Sequence, residues 1–176
     1  MAESDGDHLH YFGSDLVTGQ ALASINQHIN AGNLRGALAE LSDLIRAFPR
    51  FAPAYNTLGW LYANPLENPR QAIVCYRRAL ALDPDYPPVY FNLIVALNTL
   101  GLSAEVPALA ERALIVPGID PGKIHHQLGI TFELARDYKQ AERCYGDAIQ
   151  ATLSVTELES FAVALRRCQD KAERSA

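Results

Sequence analysis

His125, His126 and Glu133 are the side chains whose types and spacing come nearest to supporting chemistry, because two imidazoles and a carboxylate can ligate a divalent metal. Their spacing argues against it. Adjacent residues on a helix diverge by about 100°, so His125 and His126 do not converge on one ion. His8 and His10 lie in the acidic start MAESDGDHLHYFG, where metal binding would be adventitious. The sequence has no GxSxG elbow, no Walker loop, no HExxH pair and no Cys–His pairing in a family context. Cys75, Cys144 and Cys168 are widely spaced, with no CxxC among them. The expectation is a chain that is not an enzyme and uses neither metal nor cofactor.

The elements that carry these residues recur along the chain. In Ala54–Pro84, the residues Tyr55, Leu58, Gly59 and Tyr62 are spaced to share one helical face. Ala72, Tyr76 and Ala79 form a second stripe, and Asp83-Pro84 ends it. Large residues on one helix facing small ones on the next allow two antiparallel helices to pack closely. Tyr90, Leu93 and Leu97 follow Tyr55, Leu58 and Tyr62 at a spacing of 35 residues, and His125, Leu128 and Phe132 come 35 residues later again. His125 therefore occupies a packing position held elsewhere by tyrosine.

This pattern resembles the tetratricopeptide repeat, a helix–turn–helix unit of about 34 residues. The resemblance covers residues 18–155. It implies an all-α, right-handed α-solenoid of about four such repeats, at 18–51, 52–86, 87–121 and 122–155, with a capping helix and tail in 156–176. The first repeat (Leu22, Ile25, Ile29, then Ala37, Leu41, Leu44, Ile45) lacks the family's large aromatics and its glycine. Terminal repeats are often atypical in this way, because one face lacks a neighbour. Asn33, Asn68, Ser103 and Asp137 are placed to cap second helices, and Pro69 and Pro107 fall within first turns. In the third repeat Ile94 replaces the family's glycine and Val106 its small residue, which predicts looser packing. Cys75 and Cys144 are equivalent positions two repeats apart, beyond disulfide reach, and read as packing residues. The last helix is expected to bury Leu158, Phe161, Ala162 and Leu165 and to expose a charged side.

Residues 1–17 show no helical repeat pattern and read as a mobile or partly packed segment. Its first residues are polar, and Leu9, Tyr11, Phe12 and Leu16 follow. These four either cover the exposed face of the first helix or lie in the protein's own groove.

A chain of 176 residues with 49% hydrophobic and 20% charged residues is long enough for one well-buried core. The net charge of −5 and the scattered Lys and Arg give no footprint for nucleic acid. No apolar run approaches the roughly 20 residues of a membrane span. The acidic start is unlike a signal peptide. A soluble, cytoplasmic protein is expected.

In the family, the first helices of the repeats line a concave groove. The resemblance places Asn56, Trp60, Ala63 and Asn64 there from the second repeat, and Phe91, Val95, Asn98 and Thr99 from the third. Lys123, His126, Ile130 and Glu133 come from the fourth. It implies a non-enzymatic adaptor that captures a segment of a partner protein. Trp60, Phe91 and Val95 would supply apolar contact, and Asn56, Asn98, His126 and Glu133 would set register. Some family members hold acidic chaperone tails in a clamp of Lys, Asn and Arg. Here Asn56, Asn92 and a single cation, Lys123, leave that clamp incomplete. Self-association through the same groove, or through the Val163 or Cys168 face of the last helix, stays open as a second reading.

Overall fold

Short polar side chains set where the second helices begin. The computed structural model describes residues 5–175, with side chains described from Asp15 onward. Asn33 Oδ1 accepts from Gly36 N–H at 3.0 Å, Asn68 Oδ1 from Gln71 N–H at 3.2 Å, and Asp137 Oδ1 from Gln140 N–H at 3.1 Å. Each satisfies an amide that has no partner within its helix. These caps open α2 (Leu34–Ala47), α4 (Pro69–Leu82) and α8 (Tyr138–Ala151). The preceding first helices are α1 (Asp5–Asn30), α3 (Ala52–Ala63) and α7 (Pro121–Leu134). The third pair is α5 (Pro87–Thr99) and α6 (Val106–Leu114), and α9 (Val155–Ser175) ends the described chain.

The third pair departs from the capping pattern. Ser103 makes no capping bond and instead begins a 3-10 turn, Ser103–Glu105, that leads into α6. Pro107 lies in the first turn of α6, where its missing N–H costs nothing.

The start of the chain also differs from expectation. α1 is one helix of 26 residues from Asp5. The first proline is Pro49, so no proline stops a helix nucleated further on from propagating back, and Gly6, Gly13 and Gly19 oppose it only by about 1 kcal/mol each. The roles considered for Leu9, Tyr11 and Phe12 lie outside the described side chains. Leu16 is 63% exposed and does not cover the first helix.

Each first helix packs on its own second helix, and each second helix on the next first helix. α3 also lies against α5, and α5 against α7. Volume is exchanged between partners at one recurring position. A Cβ on Gly59 would stand 2.5 Å from the Tyr76 ring, and one on Gly129 would stand 2.6 Å from the Tyr145 ring. In the third repeat the register gives Ile94 in place of glycine and Ala110 in place of tyrosine, and both are fully buried. The looser packing expected of Ile94 is found: α5 and α6 approach each other less closely than α3 and α4 or α7 and α8 do, because Ile94 stands where glycine admits the neighbouring helix in the other pairs.

Tyrosine also ties first helices to the preceding turns. Tyr55 Oη donates to Pro49 O at 3.1 Å, and Tyr90 Oη to Pro84 O at 2.7 Å. At the equivalent position, His125 has a buried Nδ1 without a partner among the described residues. Tyr90→Phe is expected to cost about 1 kcal/mol, a fall in Tm of roughly 2–4 °C readable by thermal circular dichroism.

α9 packs where the first helix of a further repeat would lie. Phe161, Ala164 and Cys168 are buried, with Ala164 and Cys168 against Ala141 and Tyr145 of α8. The register is shifted from the expected one. Ala162 is exposed and Leu158 is 42% exposed, while Cys168 faces the core, so only Val163 of the two outward candidates is exposed. Ala162, Arg166, Gln169 and Glu173, which a second helix would cover, are exposed and mostly polar. That face stops the stack. Cys75, Cys144 and Cys168 are unpaired and buried, and burial raises their thiols, that of Cys144 to about 11. They are packing groups.

Candidate partner-binding groove

Three cavities run in series along the first helices. One of 280 Å³ lies between α1 and α3, lined by Asn26, Asn30, Asn56 and Trp60. The next, of 480 Å³, lies between α3 and α5 and uses Trp60, Asn64, Phe91, Val95 and Thr99. The third, of 300 Å³, lies between α5 and α7, with Pro88, Phe91, Ile119 and Lys123. Trp60 is shared by the first two and Phe91 by the last two, so the three form one groove. Trp60, 39% exposed, offers a flat apolar surface at its centre.

Several residues expected to meet a partner instead join neighbouring first helices. Asn92 Nδ2 donates to Asn56 Oδ1 at 3.0 Å across α5 and α3. Asn98 is buried, donates to Gln127 O at 3.1 Å and accepts from Thr131 Oγ1 at 2.8 Å, across α5 and α7. Asn64 Nδ2 turns back to Trp60 O at 2.9 Å and closes the end of α3.

The fourth repeat is occupied by α9. The His126 ring stacks on Phe161 with centroids 4.6 Å apart, and Ile130 packs with the Tyr145 cluster. Burial, and then the charge of Arg167, lower the His126 pKa, so its neutral form is favoured. Glu133 is buried and bonded three ways: by Arg167 at 2.8 Å, by Lys171 at 2.8 Å and by Tyr145 Oη at 2.6 Å. Burial alone would raise its carboxyl, but these three bonds outweigh it and hold the pKa at about 2. Lys123 is paired with Glu157 at 3.2 Å and Asp120 at 3.3 Å, which raises its ammonium.

Among the described residues, no group of three or more His, Cys, Asp or Glu is arranged to hold a metal. Sequence reasoning passed over Leu134, which is 56% exposed and follows Asn64 and Thr99 at the 35-residue spacing. The same spacing was the signal that would have found it. Asn26 and Asn30 of α1 were also passed over, because the first repeat lacks the aromatic landmarks that set the register.

A family model described as TPR repeat matches residues 70–101, from α4 through α5. Over that stretch the chain matches one tetratricopeptide repeat, and its fold is that of solved tetratricopeptide-repeat solenoids. A solved structure of Pseudomonas aeruginosa pilF superposes on this array with a TM-score of 0.74 at 18% identity, over 93% of this chain and 78% of that one. The first TPR of Spaghetti (RPAP3), bound to the HSP90 peptide SRMEEVD, gives 0.60 at 18% identity, over 69% of this chain and 92% of that one. In sequence, the array is 33% identical over 107 residues to a probable biofilm formation methyltransferase, WspC, of Pseudomonas putida. That match spans 61% of this chain and about a quarter (24%) of the relative's length.

Proposed function

We propose that this tetratricopeptide array is a non-enzymatic protein-interaction module of the cytoplasm that captures an extended or helical segment of a partner in its groove. The carrying observation is the run of three cavities joined through Trp60 and Phe91. Trp60, Phe91 and Val95 supply apolar contact, with Asn64, Thr99 and Lys123 at the margins. Asn56, Asn98, His126 and Glu133 act from behind by fixing the spacing of the first helices. The peptide-bound state of the RPAP3 domain supports this use of the fold. Among the described residues no helix is long and apolar enough to cross a membrane.

The test is affinity capture with wild type and a Trp60→Ala/Phe91→Ala variant of equal helicity. Loss of two aromatic anchors is expected to weaken a groove partner more than about tenfold. Equal recovery on both baits would place the site elsewhere.

The match to a methyltransferase-named relative favours a second reading, in which the array serves such an enzyme as its docking part. Co-purification of a methyltransferase on the wild-type bait alone would support that version.

A further inference from the structure

We propose that the groove is occupied head-to-tail by residues 1–17 of a second copy of this chain. The inference rests on the groove being the binding site and names its occupant. α1 has 26 residues and its partner α2 has 14. At 1.5 Å per residue the two helices measure about 39 Å and 21 Å, so about twelve residues at the start of α1 run beyond α2. At the junction Leu16 and Val17 are 63% and 51% exposed. Because the helix is continuous from Asp5 to Asn30, its start cannot turn back into its own groove. Another copy's groove remains open to it.

The chemistry of the segment and of the groove run in the same order. Residues 1–17 contain Glu3, Asp5, Asp7 and Asp15 and no Lys or Arg, and Leu9, Phe12 and Leu16 recur at helical spacing. In the groove, aligning Leu165 and Cys168 of α9 with Leu58 and Leu61 of α3 puts Arg167 and Lys171 at the positions of Trp60 and Asn64. Those two positions therefore read Trp60, Val95, Ile130, Arg167 and Asn64, Thr99, Leu134, Lys171 along the stack.

An apolar floor thus ends in cations. Arg167 and Lys171 share the single carboxylate of Glu133, and their side chains remain 50% and 49% exposed. Arg166 and Arg174 line the same α9 surface, where Asp170 is the one acid. Neither arginine has an ion-pair partner among the described residues. In a chain of net charge −5 this is a local positive end, and it faces an occupant whose acids come first. With Asp5 and Asp7 at α9, a helix reaches Leu16 about 14–17 Å further on, which crosses α7 and reaches the near side of α5, two spacings of about 8–10 Å away. Contact of this kind is heterologous and extends into open chains.

The test is light scattering on the full chain across concentration, with a head variant, Leu9→Asp/Phe12→Asp, and two groove variants, Leu134→Glu and Arg174→Glu. Both groove variants alter exposed residues, so folding should survive, and circular dichroism checks it. Wild type is expected to grow beyond dimer with concentration, and salt is expected to reverse this. Each variant alone is expected to stay monomeric. An equimolar mixture of head and groove variants is expected to form a dimer and nothing longer, because one intact junction remains. Trp60, the sole tryptophan, should change emission as the chains associate.

A wild type that stays monomeric at its highest soluble concentration overturns the inference. So does a closed dimer that mixing the variants fails to restore, or association that the groove variants leave intact. If wild type is monomeric but Trp60→Ala/Phe91→Ala still loses a captured protein, the groove reading stands and only the occupant is wrong.

Discussion

Ala110→Tyr is expected to destabilise the chain by about 3 kcal/mol or more, because the new ring has no glycine to lie against. Tyr76 and Tyr145 are accommodated only because Gly59 and Gly129 lack a Cβ, and added Cβ atoms would stand 2.5 and 2.6 Å from those rings. At the same position of the third repeat, Ile94 and Ala110 are both 0% exposed within one apolar cluster, and Ile94 brings a side chain where the other repeats have none. At this chain length the loss corresponds to a fall in Tm of roughly 6–12 °C. Ile94→Gly alone is also expected to cost several kcal/mol, through a cavity and through about 1 kcal/mol of helix propensity. The double variant Ile94→Gly/Ala110→Tyr recreates the pairing of the neighbouring repeats and should be more stable than the sum of the singles predicts. Thermal melts of the four proteins measure that coupling. Strict additivity would mean that the two positions do not share one space.

The same exchange shows which parts of this fold are readable without coordinates. Asn33, Asn68 and Asp137 were legible as caps because a cap is a contact over three residues. The stripes at Tyr55, Tyr90 and His125 were legible because helix pairing repeats them. The looser packing of the third pair was legible from Ile94, because it stands where glycine lets the neighbouring pairs approach closely.

The groove was harder still. Asn98 and Glu133 lie beside the stripe, as groove residues do, but a first helix also has neighbouring first helices to meet. Which of the two a side chain faces depends on the rotation between successive helices, a quantity that no single repeat contains. A trace of it exists in polar pairs such as Asn98 with Thr131 and Glu133 with Arg167, spaced 33 and 34 residues apart. Each pair makes sense only as an inter-repeat contact.

Glu133→Ala should show how far α9 depends on that last pair. The carboxylate joins α7 to Tyr145 of α8 and to Arg167 and Lys171 of α9, so its loss leaves a buried tyrosine hydroxyl without its acceptor. Arg167 and Lys171 are half exposed and can rehydrate, which limits the expected cost to roughly 2–4 kcal/mol, or a fall in Tm of roughly 5–15 °C. The effect should depend on pH with a definite sign. The folded carboxyl, at about 2, lies below the ordinary 4.5, so its contribution is full above pH 4.5 and is lost as pH falls towards 2. His126 adds a separate acid sensitivity. Its folded pKa is also lowered, so below the ordinary 6.5 the unfolded chain takes up a proton that the folded chain resists. Wild type should therefore lose stability from about pH 6.5 downward and again below about 4.5, and Glu133→Ala should retain the first loss but not the second. Melts between pH 3 and pH 8, followed by far-ultraviolet circular dichroism, would resolve the two steps. An unchanged profile in the variant would mean that the stacking of His126 on Phe161, and not the carboxylate, holds α9 in place.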